Sequence, residues 1–133
     1  MRDDDGTALL LTLGYALLAI ALILVCADAT SLYLARKRVD AVADAASLAG
    51  AYGFTIEVVD GRPRARLEDD AVWEQAAEVV SVHDAMQLVD AGTPEGTSSR
   101  VTVRTTWRAP VFSLFVPDGV RIESTATSRT AIG

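Results

Sequence analysis

Residues 6–27 read GTALLLTLGYALLAIALILVCA and contain no charged side chain. In a helix that rises about 1.5 Å per residue, a stretch of this length spans roughly 33 Å, and the hydrocarbon core of a bilayer is about 30 Å thick. The stretch therefore predicts one membrane-spanning helix. Of the 133 residues in the chain, 50% are hydrophobic, 6% aromatic and 23% charged, which argues against a disordered, collagen-like or disulfide-stapled protein.

Residues 1–6, MRDDDG, are interpreted as a leader. Arg2 stands there against three aspartates, whereas a secretory signal has a basic start and an apolar core of about 7–15 residues. The pattern favours a membrane anchor over a cleaved secretory signal. The single cysteine, Cys26, lies inside the apolar stretch, so residues 52–133 contain neither an internal disulfide nor a thiolate metal site.

Residues 28–51 read DATSLYLARKRVDAVADAASLAGA, with no proline and no glycine before Gly50. We expect the helix to continue through them, which gives one transmembrane and assembly helix over residues 7–51. Apolar and small side chains recur in this segment at spacings of three and four. They form a helix-packing stripe of Leu32, Ala35, Val39, Val42, Ala46 and Ala49. Such a stripe needs a partner helix, and its small residues allow a close approach.

Charged side chains on the same helix, at Asp28, Arg36, Asp40 and Asp44, are candidate contacts between subunits. Arg36 and Asp40 are four residues apart, which is the spacing of an ion pair on a helix surface. One interpretation is a solvated face, where each pair contributes on the order of a few tenths of a kcal/mol. The other is that these charges fix the register between neighbouring subunits.

A resemblance to a known family rests on Gly6, the apolar helix, Asp28, the segment Tyr33–Arg36 and above all residues 44–51, DAASLAGA. This region resembles the N-terminal helix of the TadE/TadG-like proteins, accessory pilin-like components of the tight-adherence (Flp) pilus machinery of bacteria. The later part of the chain is also similar to the family in its order of elements, a strand, a helix and a late pair of strands. The resemblance implies a pilin-like α+β fold.

The resemblance also implies a single crossing of the bacterial cytoplasmic membrane, with residues 52–133 outside the cytoplasm, in a protein that joins or primes a surface filament. The implied partners are other pilin-like subunits, membrane components of the assembly machinery, the lipid bilayer and prepilin peptidase, which would cut between Gly6 and Thr7. True pilins carry a glutamate five residues after that cut, where this chain carries Leu11. The chain therefore resembles more closely the TadG-like members, which stay as unprocessed anchors.

Basic residues near the span indicate the opposite orientation. Arg2 precedes the span and Arg36, Lys37 and Arg38 follow it, which by the positive-inside tendency keeps the C-terminal side in the cytoplasm. That tendency weakens for segments longer than about 60 residues, and the C-terminal part is longer than this. We therefore expect the orientation that the family implies.

Residues 52–133 are predicted to form a small α+β domain of three or four strands and one short helix, with the long helix at its base. Alternating or β-rich runs predict strands at residues 54–59, 100–108 and 120–128. Residues 62–68 fit either a strand or a loop, and residues 91–99 read as a polar loop.

Residues 70–81 predict the short helix of this domain. Its apolar side carries Val72, Trp73, Ala76, Ala77 and Val80. Trp73 is predicted to anchor the helix in the core, because a buried tryptophan removes a large area from water.

The run Val111–Val116, VFSLFV, is apolar and lies between two prolines. One interpretation is a buried connection that packs on the helix. The other is an exposed patch of Phe112, Leu114 and Phe115 that contacts the membrane or a partner subunit.

The sequence predicts no catalytic residue, cofactor or metal. His83 and Asp84 form half of a nucleophilic triad at most, because the chain has no G-x-S-x-G motif and no cysteine outside the apolar stretch. Zinc lacks ligands. The formal net charge is −6 and the basic residues are interleaved with acidic ones, which disfavours nucleic acid as a partner.

These observations favour a structural, accessory component of a bacterial tight-adherence pilus or secretion assembly, a minor pilin-like subunit anchored in the membrane. The alternative is a bitopic ligand-binding or sensory module, which predicts a pocket with convergent polar groups. An extracytoplasmic enzyme is the least favoured, because the sequence offers no set of acid, base and nucleophile.

Overall fold

One long helix dominates the computed structural model, which describes residues 2–131. This helix, α1, runs unbroken over Arg2–Tyr52. The predicted continuation through residue 51 is confirmed, and the helix also includes residues 2–6 of the predicted leader. Three aspartates lie in its first turn, where carboxylates interact favourably with the helix dipole. Met1, Ile132 and Gly133, which belong to the predicted leader and C-terminal domain, lie outside the described residues.

A second helix and five strands follow α1 within the described part of the chain. They are β1 (Thr55–Val59), β2 (Arg62–Arg66), α2 (Asp69–Ser81), β3 (Met86–Gly92), β4 (Ser98–Trp107) and β5 (Val120–Arg129). β1 and β2 form an antiparallel hairpin, and the other three strands form an antiparallel sheet in the order β3-β4-β5. The predicted α+β class, with a long helix, a small antiparallel sheet domain and one short helix, is confirmed.

The hydrophobic core lies between the two helices and one face of the three-stranded sheet. Its fully enclosed members are mostly small, among them Val39, Ala43 and Ala46 of α1, Val72 and Ala76 of α2, and Val101 and Val103 of β4. Because alanine and valine are short, the backbone of α1 can lie close to the sheet. Gly50 continues this approach, since a Cβ atom at this position would overlap the Ser99 Oγ of β4.

The opposite face of the sheet is polar, as the alternation in residues 100–108 predicts. Val101 and Val103 are buried, whereas Thr102 and Arg104 point outward. The Thr102 and Thr125 hydroxyls are 2.8 Å apart, and Arg104 Nε donates to Glu123 Oε1 at 2.6 Å. These pairs join β4 to β5 across the exposed face.

Three details of the predicted domain are corrected. Trp73 is 45% exposed rather than buried. The buried side of α2 carries Val72, Ala76 and Val80, and Trp73 is rotated about 100° away from Val72 around the helix axis. Strand β3 was not predicted, because its pairing with β4 shifts register between Leu88 and Asp90 and breaks the alternation. The polar loop predicted at residues 91–99 shortens, because β3 extends to Gly92 and β4 begins at Ser98.

Residues 62–66 form a strand rather than a loop. Asp60 and Gly61 connect it to β1 with φ angles of 53° and 73°, and two successive residues with positive φ are what a type I′ hairpin turn requires. The aspartate–glycine pair therefore fixes the hairpin and its register.

Candidate functional site

The N-terminal half of α1 extends beyond the packed part of the molecule. We call residues 6–27 the apolar half of α1. Its side chains are exposed apart from Leu24, and Leu9 and Leu10 each expose 71% of their surface. The helix is long and apolar enough to cross a membrane. Burying this surface in lipid would remove a large apolar area from water, which fits the predicted span.

Asp28 is the first charged residue after the apolar half, and the structure gives it an intramolecular role. The side chain is only 7% exposed. Its two carboxylate oxygens accept hydrogen bonds from the backbone N–H groups of Val111 and Phe112, at 3.0 and 3.1 Å. A loop of the same chain therefore satisfies this carboxylate, and the inter-subunit role of Asp28 stays a prediction.

The predicted helix-packing stripe also contacts its own chain. Val39, Val42 and Ala46 are buried in the core, and Leu32 and Ala35 pack against that core while half-exposed. Ala49 is half-buried as well. An apolar stripe needs a partner, and here α2 and the sheet of the same chain supply it. The packing of this stripe on another subunit's helix stays a prediction.

Polar contacts fasten α1 to the sheet along the same side. Trp107 Nε1 donates to Ser31 Oγ at 3.1 Å, and the hydroxyls of Ser47 and Ser128 are 2.8 Å apart. Ser31 and Ser47 are sixteen residues apart on α1. The sheet therefore holds α1 at two distant levels.

A second stripe on α1, which the sequence did not single out, remains exposed. We call it the outer stripe, and it consists of Leu34, Ala41, Ala45, Leu48 and Tyr52. These positions are also three, four or seven residues apart, and at 100° per residue they lie about 180–240° around the helix from Val39. The signal for it was present in the sequence as a second apolar periodicity, and burial by the sheet distinguishes the two stripes.

The other three predicted inter-subunit charges lie at the surface. Arg36 and Asp44 are exposed and Asp40 is half-buried. Within residues 2–131, Arg36 and Asp40 form no ion pair, so the predicted intrahelical pair is absent there. A role of Arg36, Asp40 and Asp44 between subunits stays a prediction.

The apolar run between β4 and β5 is exposed rather than buried. Leu114 exposes 90% and Phe115 80% of its surface, while Phe112 is half-buried with its ring centroid 6.0 Å from that of Phe115. The interpretation as a buried connection is therefore wrong. The three residues form an apolar patch beside Asp28, because that carboxylate holds the start of the loop.

One comparison with known protein families matches the long helix. Residues 6–53 match the family model described as putative Flp pilus-assembly TadE/G-like. The match begins at Gly6 and ends one residue beyond α1, so it includes both the apolar half and the half that packs on the sheet. It supports a role related to assembly of the Flp, or tight-adherence, pilus. No curated protein and no solved structure matches the chain.

Helix α1 also borders a groove beside β5. This groove has a volume of about 460 Å³ and is lined by Leu32, Tyr33 and Arg36 of α1 and by Val120, Ile122 and Glu123 of β5. Its wall is mainly apolar, and Arg36, Arg121 and Glu123 are the charged residues that line it. The groove is suited to an apolar partner rather than to a small polar ligand.

His83 lies on the surface, with its Nδ1 3.0 Å from the carbonyl oxygen of Val79 at the end of α2. Residues 2–131 contain no group of three or more histidine, cysteine or carboxylate side chains placed to hold a metal ion. Exposed apolar surfaces lie on the apolar half of α1, on the outer stripe and on the patch of Phe112, Leu114 and Phe115.

Proposed function

We propose that this protein is a membrane-anchored, minor pilin-like subunit of a bacterial tight-adherence pilus or secretion assembly. The observation that carries the proposal is the division of one unbroken helix into an exposed apolar half and a half that forms the core of a small sheet domain. The match of residues 6–53 to a pilus-assembly family supports it. The chain contributes binding surfaces to the assembly, and its role requires no catalysis.

The proposed location is the cytoplasmic membrane, with a single crossing by the apolar half and the sheet domain outside the cytoplasm. The family match and the length of the C-terminal part support this orientation against Arg36, Lys37 and Arg38. The test is protease treatment of intact spheroplasts, in which the sheet domain should be digested. Protection of the domain until the membrane is opened would contradict the proposed orientation.

The proposed contact surface for other pilin-like subunits is the outer stripe, with Asp44 at its side. The sheet domain leaves this apolar stripe of α1 exposed. Two helices that meet along such a stripe can pack closely at the alanines. This assigns the partner-facing role to a different set of residues from the stripe predicted from sequence.

Ala45→Glu is expected to weaken recovery of assembly partners about tenfold in crosslinking from native membranes, because it places a charge in the middle of a desolvated helix interface. The matched control is Ser81→Glu, which adds the same charge at the exposed end of α2. Both variants should retain the fold. Equal recovery of partners with the two variants would exclude the outer stripe as the interface.

The N-terminus is proposed to remain unprocessed, so that the apolar half acts as a permanent anchor. The chain carries Leu11 where the pilins carry a glutamate, and a carboxylate at that depth is retained in a membrane only for a function. Intact-mass spectrometry of the protein purified from its own membranes should give a chain that keeps Arg2. A mature chain that starts at Thr7 would instead make prepilin peptidase a partner and Gly6–Thr7 its site.

A further inference from the structure

The loop between β4 and β5 presents an unusual apolar surface. Residues 109–117, APVFSLFVP, carry no charged side chain. Leu114 and Phe115 point almost entirely into solvent, at 90% and 80% exposure. Single exposed apolar side chains are common on soluble proteins, but adjacent, almost fully exposed ones in an uncharged loop mark an interaction site.

The loop emerges at the end of the sheet that lies next to the apolar half of α1. Strand β4 runs along α1 from Ser99, which lies against Gly50, to Trp107, which bonds Ser31. The chain then reaches Asp28, one residue beyond the uncharged stretch. Leu24, one turn before Asp28, is half-buried while the residues on either side of it are exposed. The part of α1 that is partly covered by the rest of the chain therefore begins inside the apolar half, at Leu24.

Four of the six backbone N–H groups between Pro110 and Pro117 have a hydrogen-bond partner. Asp28 accepts from the N–H groups of Val111 and Phe112, and the Phe112 carbonyl oxygen accepts from those of Phe115 and Val116 at 3.0 and 3.2 Å. The prolines at 110 and 117 have no N–H. Between these prolines, only Ser113 and Leu114 keep an N–H without a partner among the described residues. An unpaired N–H is costly away from water, so the four paired groups reduce the cost of moving the loop out of water.

The side chains around the loop also match the boundary between lipid and water. The ring nitrogen of Trp107 donates a hydrogen bond to Ser31 of α1. Amphipathic aromatic rings of this kind favour the boundary between lipid and water. Arg108 and Arg121 flank the loop and are exposed, and Asp118 is the one acidic residue between them in the sequence. Exposed arginines of this kind attract anionic headgroups.

We propose that the β4–β5 loop is a second membrane contact, in which Leu114 and Phe115 insert into the boundary between headgroups and acyl chains of the bilayer that α1 crosses. The inference rests on the proposed anchoring by the apolar half. The occupant is lipid because the loop is fastened to α1 at the residue where the apolar half ends. With two points of contact, the bilayer fixes the rotation of α1 and the side of the sheet domain that faces away from the membrane.

The test uses the full chain with Cys26→Ser, in nanodiscs of phosphatidylcholine and phosphatidylglycerol. A single cysteine labelled with an environment-sensitive fluorophore is placed by Leu114→Cys, which retains both phenylalanines, and in a second variant by Phe115→Cys. Val82→Cys, at an exposed apolar residue beyond α2, is the matched aqueous control. Leu17→Cys reports on the apolar half itself.

We expect iodide to quench the labels at 114 and 115 about fivefold less than the label at 82, and headgroup-proximal spin-labelled lipid to quench them strongly, because interfacial segments lie about 5–10 Å deep. Equal iodide quenching of the labels at 82, 114 and 115 would overturn the proposed loop contact. If the label at 17 is protected from iodide in the same experiment, the anchoring of the apolar half is still supported. An accessible label at 17 would contradict the anchor itself. Labels at 114 and 115 that are protected from iodide but not quenched by spin-labelled lipid would overturn the lipid contact in favour of a second copy of the chain.

Discussion

Asp28→Ala is expected to lower the free energy of unfolding of the sheet domain by about 3 kcal/mol, because hydrogen bonds to a charged group contribute roughly 1.5–3 kcal/mol each. The carboxylate is buried and accepts two backbone N–H groups, of Val111 and Phe112, across a large sequence separation. Its removal leaves both donors unpaired near the surface of α1. Denaturant unfolding of the full chain in detergent micelles, followed by near-UV circular dichroism, measures the change.

The control for this prediction is Asp44→Ala, which removes the same side chain from an exposed position of the same helix. We expect a change within about 0.5 kcal/mol there, as for most surface substitutions. Hydrogen exchange gives a local test, since the amides of Val111 and Phe112 should exchange at least about tenfold faster in Asp28→Ala. Unchanged exchange at these two amides would show that the carboxylate does not hold the loop.

The difference between Asp28 and Asp44 explains why the sequence could not assign their roles. Both are aspartates on one continuous helix, and only the fold decides that a loop more than eighty residues later reaches the first of them. No local pattern encodes such a contact, because the donors are backbone groups that every residue except proline carries.

The same limit applies to the two stripes of α1. The sequence predicts the helix because residues 28–49 contain no proline and no glycine. It predicts an apolar stripe because apolar residues recur there at spacings of three and four. It does not say which stripe the sheet covers, since Ala45 and Ala46 are identical and adjacent, yet Ala46 is buried and Ala45 is exposed. The choice depends on β4 and β5, which pack against α1 through contacts distant in sequence.

Strands were predictable where the alternation is clean and not where it is interrupted. Residues 100–108 alternate between valine and polar side chains, and β4 has that pattern of burial. In β3 the irregularity at Val89 places two successive residues on the exposed side, so that period-two alternation fails. The exposure of Phe115 was an open alternative, because an apolar run fits a buried connection as well as a docking surface.

The packed half of α1 also gives a physical reason for the small residues in DAASLAGA, the part of the sequence that most resembles the pilus-assembly family. Ala46 and Ser47 are buried against the sheet, and Ser47 bonds Ser128. Larger side chains at these positions would push α1 away from β4 and β5. The motif therefore contributes to the fold of the domain, and the exposed Ala45 and Leu48 within it face the proposed partners.

Gly50→Val is expected to lower the free energy of unfolding of the same domain by about 2–3 kcal/mol, in the range of an overpacked core. A Cβ atom at Gly50 would overlap Ser99 Oγ and lie 3.0 Å from Val72 Cγ1, and both neighbours are fully buried. The helix and β4 must therefore separate or their side chains must leave their preferred rotamers. Gly14→Val is the matched control, because nothing lies within 4 Å of a Cβ atom at Gly14.

A double-mutant cycle identifies the atom responsible for this cost. Ser99 Oγ is buried and has no hydrogen-bond partner among residues 2–131, so Ser99→Ala alone should be neutral or slightly stabilising. Gly50→Ala alone should destabilise, and Gly50→Ala with Ser99→Ala should recover about 1 kcal/mol or more, the coupling typical of residues in contact. Additive effects of Gly50→Ala and Ser99→Ala would mean that α1 and β4 do not meet at this point, and the small residues of the motif would then need another explanation.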